Sequence, residues 1–100
     1  MKDITKLKFW PLLEKEGFQL KEFRTNGKSF GRGAILMPDY KKGFPYMEIK
    51  PLLNGHWNLH VDYFNSASDE EGSPSIIGKA LEQRLIEFKE HGRSHIDANN

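Results

Sequence analysis

One hundred residues without a cysteine are enough for a single domain, and they exclude a disulfide framework, a thiolate zinc site, an iron–sulfur cluster and a cysteine nucleophile. Hydrophobic residues at 37% and charged residues at 29% support one modest core and argue against intrinsic disorder. The net charge of +1 conceals two unlike halves: residues 1–50 hold eleven Lys and Arg against six Asp and Glu (+5), and residues 51–100 hold four against eight (−4).

Leu7, Phe9, Trp10, Leu12 and Leu13 predict a short helix starting near Lys8, because Pro11 is tolerated only in a first turn. Gly17 is its expected left-handed terminator. Phe18 to Thr25 alternates as a strand, with a bulge where Glu22-Phe23 breaks the phase. Asn26-Gly27 is a tight hairpin turn, since both residues tolerate positive φ. A second strand follows over Phe30 to Met37, then a polar loop over Pro38 to Gly43, then a third strand over Phe44 to Leu52. Leu53-Asn54-Gly55 suits a three-residue hairpin loop. Trp57 to Tyr63 is the clearest strand, with Trp57, Leu59, Val61 and Tyr63 on one face and Asn58, His60 and Asp62 on the other.

Centring that hairpin on Asn54 pairs Pro51 with Trp57, Ile49 with Leu59, Met47 with Val61, Lys50 with Asn58, Glu48 with His60 and Tyr46 with Asp62. A slip of one residue would mix apolar and charged positions on both faces. Asn65 to Gly72 reads as an exposed acidic loop. Ser73-Pro74 is a helix start, and Ile77, Ala80, Leu81, Leu85 and Phe88 form one apolar stripe from about Ser75 to His91, with Gly92 as the stop. The order α-β-β-β-β-α with short connections predicts a two-layer α+β domain over residues 1–92. Its four-stranded antiparallel meander carries both helices on one face, and residues 93–100 form a mobile tail.

That architecture leaves the other sheet face open. Tyr46, Glu48, Lys50, Asn58, His60 and Asp62 fall on it, with Phe64 at its end, and the Asp69-Glu70-Glu71 loop stands beside it. Aromatic anchors among charged groups suit a protein partner, and the acidic loop suits a basic one such as a toxin or nuclease domain. In format, a small cysteine-free α+β domain without a catalytic constellation, the chain is similar to bacterial inhibitor and immunity proteins. That similarity implies a non-enzymatic binding role. Two other readings compete. Lys21, Arg24, Lys28, Arg32, Lys41 and Lys42 interleaved with Phe23, Phe30, Tyr40 and Phe44 resemble a single-stranded nucleic-acid surface. His60 with Asp62 and Glu48 could serve a small hydrolase, although nothing marks a nucleophile.

No cofactor or metal is expected. His91 and His95 have Gly92 between them at the expected helix end, and His56 and His60 stand too far apart on a strand for one ion. Gly31-Arg32-Gly33 lacks the spacing of a phosphate loop and reads as space for a large neighbour such as Trp57 or Tyr63. The charged first ten residues and the lack of a long apolar run predict a soluble, cytoplasmic chain without a membrane partner.

Overall fold

The computed structural model describes residues 2–36, 45–63 and 66–98, the last eight of them as backbone only. Its elements are β1 (Lys2–Asp3), a 3-10 turn (Ile4–Lys6), α1 (Trp10–Lys15), β2 (Gln19–Thr25), β3 (Lys28–Leu36), β4 (Tyr46–Pro51), β5 (Trp57–Asp62), β6 (Ala67–Gly72) and α2 (Pro74–Ala98). Strands β2 to β6 form an antiparallel meander, and β1 adds a short parallel pairing to β3. The α+β class and the meander are as expected from the pattern, but two more strands are present.

The local signals behave as their chemistry requires. Pro11 lies in the first turn of α1, and Gly17 follows the helix with φ 93°. Asn26 and Gly27 take φ 53° and 80°, the two positive values that let a two-residue turn follow the strand twist. The bulge in β2 falls between Phe23 and Arg24. All six expected β4–β5 pairs are formed. Ser73 caps α2, its Oγ accepting from the amide of Ile76 at 3.5 Å. The helix does not stop at Gly92, as its sequence suggested; the backbone stays helical to Ala98. A glycine inside a helix costs only about 1 kcal/mol, too little to end one without a competing terminator.

The core lies between the sheet and the helices. Met47, Ile49, Leu59 and Val61 from the strands meet Ile77, Leu81, Leu85 and Phe88 from the α2 stripe, and Ile4 and Leu13 close the N-terminal end. Each such buried side chain contributes about 1.5–3 kcal/mol.

β3 is the organising strand. β2 runs along one of its edges, while the other is shared: Leu36 to Ala34 pair with β4, and Arg32 and Gly31 pair with β1. The neighbouring chains press close where they change over. A Cβ at Gly33 would collide with the backbone carbonyl of Ile49, and one at Gly31 would stand 2.8 Å from the ring of Pro51 and 2.9 Å from the carbonyl of Lys2. These glycines therefore make room for β1, β4 and Pro51, and also for Phe23, rather than for Trp57 or Tyr63. Pro51 is placed beyond the last β3–β4 pair, so that ladder loses no donor.

Asp3 holds the N-terminus down. Its carboxylate accepts from the Thr5 amide at 3.0 Å, the Thr5 hydroxyl at 2.8 Å and Arg32 Nε at 3.0 Å. The Arg32 bonds, then those from Thr5, pull its pKa down to about 2. A depressed carboxylate pKa adds stability above its unfolded value near 3.9, and that increment disappears as pH falls toward 2. Asp3→Asn should therefore be less stable than the parent chain by about 1 kcal/mol at neutral pH. In urea titrations the gap should close between about pH 4 and pH 2; a constant gap over that range would remove Asp3 as its source.

Candidate protein-binding face

Register and strand alternation assign each candidate side chain to a face. Tyr46, Glu48 and Lys50 on β4, Asn58, His60 and Asp62 on β5, and Asp69 and Glu71 on β6 share the face opposite the core. No described helix packs over it.

The acidic segment corrects the sequence reading. It is not a loop but the edge strand β6, paired with β5 from Asp62↔Ala67 to Trp57↔Gly72. Low strand propensity of Ser, Asp and Glu hid it, and pairing overrode propensity. One signal could have revealed it. A strand whose Trp57, Leu59 and Val61 are all buried needs neighbours on both edges to satisfy its backbone.

Strand geometry also separates the three acids. Glu70 lies opposite Leu59, so its side chain falls on the core face, where Arg84 Nη2 donates to Glu70 Oε1 at 2.8 Å. Glu70 therefore leaves the proposed binding set, because consecutive strand residues point to opposite faces. Arg84 also donates to Glu87 at 2.8 Å, and the Tyr63 hydroxyl donates to Glu87 at 3.0 Å, so Arg84 ties β6 to α2 through Glu70 while Tyr63 ties the end of β5 to the same helix.

On the open face, His60 finds its carboxylate on β6 rather than on β4. Nδ1 of His60 lies 2.9 Å from Asp69 Oδ1, and Asn58 Nδ2 donates to the same oxygen at 3.0 Å. The bond from Asn58, then that from His60, lowers the Asp69 pKa, so this carboxylate is ionised and only accepts. Nδ1–H of His60 is therefore the donor in that contact. Glu48, directly across from His60, is held by Lys21 Nζ at 2.6 Å.

The Tyr46 ring lies 5.4 Å from that of His60, tilted by 44°. Burial, then the charges of Asp62 and Glu48, raises the Tyr46 pKa and keeps its hydroxyl protonated. His56 Nδ1 is 3.4 Å from Glu71 Oε2, a second link between the β5 side of the sheet and β6.

Toward β2 the chemistry changes sign. Lys21 Nζ and Lys50 Nζ lie 5.1 and 5.7 Å from the centroid of Phe23, which is only 8% exposed. The open face thus runs from a lysine and aromatic end at β2 to a carboxylate end at β6. Arg24 pairs with Glu22 at 3.0 Å, and Arg32 with Asp3, so several residues of the basic set already have partners. Among the described residues ion pairs form mostly within each half of the chain; Lys89 to Glu16 at 2.7 Å joins the two.

Tyr40, Lys41, Lys42, Phe44 and Phe64 lie outside the described residues, as do the side chains of His91 and His95. Among the described residues no group of three His, Asp or Glu could hold a metal ion, and no helix is long and apolar enough to cross a membrane. Comparison with protein-family models, curated proteins and solved structures finds no match, so the functional reading rests on the geometry of this face.

Proposed function

We propose that this chain is a non-enzymatic protein-binding module of the inhibitor or toxin-immunity type, and that its open sheet face meets a basic protein such as a nuclease domain. The observation that carries this reading is the alignment of Tyr46, His60, Asp62, Asp69 and Glu71 on one uncovered side of β4, β5 and β6. Regular strands hold these groups in place before binding, so little ordering entropy opposes association. The carboxylates at the β6 end steer a cationic partner, while Tyr46 and His60 supply flat surface beside them. On this reading the protein acts in the cytoplasm of a bacterial cell.

The test compares three immobilised forms for recovery of a partner from the host: the parent chain, a face variant carrying Tyr46→Ala, Asp69→Lys and Glu71→Lys, and a control carrying Glu82→Lys on the helical side. The face variant should lose affinity for the recovered protein by about 100-fold or more, with the control unchanged. Equal affinity of all three forms would reject the face. Salt-sensitive binding of single-stranded oligonucleotides without a protein partner would favour the nucleic-acid reading instead.

A further inference from the structure

On the helical side of the molecule, away from the open sheet face, the segment after the 3-10 turn and the start of α2 enclose a half-open groove of about 700 Å³. Its apolar wall is formed by Leu7, Phe9, Leu12 and Pro74. The volume falls within the ~300–1,000 Å³ typical of small-molecule sites.

Lys6, Lys8 and Lys79 also line the groove. None of them has an ion pair among the described residues, as is also true of Lys15, Lys28 and Lys50, so their charges are free to meet an anion in the groove. One lining carboxylate, Glu82, leaves the groove with a formal charge of +2.

Gly78 supplies an independent observation. It sits inside α2 with an ordinary helical backbone, where glycine costs about 1 kcal/mol relative to alanine. No turn requires it. A Cβ there would stand 3.3 Å from the Phe9 ring, so glycine lets the ring lie close against the helix where both line the groove. The helical wall from Ser75 to Glu82 is two turns, about 10.5 Å long, a match for a medium-length alkyl chain.

We propose that this groove binds a small amphipathic carboxylate, its alkyl or aryl body against Leu7, Phe9 and Leu12 and its carboxylate among Lys6, Lys8 and Lys79. The apolar wall contributes most of the affinity, and the lysines select an anion over a neutral or cationic molecule with the same body. This site is separate from the open sheet face, so both can be occupied together.

Decanoate, decanol and decyltrimethylammonium share the body and differ in the head, and are the probes. Titrated by calorimetry and by amide chemical shifts below its micellar concentration, decanoate should bind one to one, with shifts centred on residues 6–12 and 74–82. Decanol and the ammonium compound should bind at least about 10-fold more weakly. The exposed double variant Lys8→Glu with Lys79→Glu should weaken decanoate about 10-fold while leaving decanol unchanged, and Gly78→Leu should fill the groove and abolish binding of both. No saturable binding, equal affinity for the three heads, an unaffected double variant or shifts on the sheet face would each overturn the proposal.

Discussion

Gly33→Ala should destabilise the fold by about 3 kcal/mol or more, because the added methyl meets the backbone carbonyl of Ile49 rather than a movable side chain. Phe23 also crowds that position, but an aromatic ring can rotate away. The carbonyl belongs to the β4 ladder and moves only if the β3–β4 pairing opens. For a domain of this size the loss corresponds to a fall in Tm of about 15 °C. Gly27→Ala is the matched control, since nothing stands near its Cβ and only its φ of 80° is strained. That variant should cost about 1 kcal/mol. Equal costs for the two substitutions would mean that backbone conformation, and not the close passage of β4, accounts for the glycine at position 33.

Trp57→Ala should cost about 4 kcal/mol, at the upper end for a core truncation. The indole is 3% exposed and lies on the core face between Pro51 and Gly72, its partners on β4 and β6. Lys2 Nζ stands 5.4 Å from the centroid of the ring while donating to the carbonyls of Leu52 at 2.8 Å and His56 at 2.6 Å. Losing the ring therefore opens a cavity and removes the surface against which β1 closes the hairpin end. Trp57→Phe keeps part of that surface and should lose about half as much. Denaturant unfolding followed through Trp10 measures both. Hydrogen exchange should show the amides of β1 and of the Gly72 end of β6 protecting less in Trp57→Ala. Unchanged protection there would show that the indole does not couple these strands.

The parts of the candidate site that could be read in advance are those set by alternation within one hairpin. The β4–β5 register followed from a two-residue period and a loop centred on Asn54, because any other parity would have buried charge. Hence parity alone places Tyr46, Glu48, Lys50, Asn58, His60 and Asp62 on one face, as the β4–β5 pairing has them. The partner of His60 was not readable. Glu48 and Asp62 were its nearest acids by sequence logic, but the contact comes from Asp69 on a strand with little strand propensity. The face of Glu70 is hidden for the same reason, since a loop has no faces and a strand has two.

Local chemistry was sufficient wherever a residue's own backbone preference or its near neighbours settled the outcome. Pro11, Gly17, Asn26-Gly27, Ser73-Pro74 and the Ile77 to Phe88 stripe each took the conformation that their short-range sterics and hydrogen bonding favour. Pairings between distant segments decided the rest. β1 exists because Lys2 and Asp3 find Gly31 and Arg32, and β6 exists because the buried β5 demands a second neighbour. Their free energy comes from backbone groups satisfied across the sheet and from charges placed across layers, such as Arg84 on Glu70. The +5 and −4 halves visible in the composition thus proved a poor guide to the surface. Among the described residues most ion pairs join partners from the same half, and the gradient across the open face arises from the order in which the strands are laid side by side.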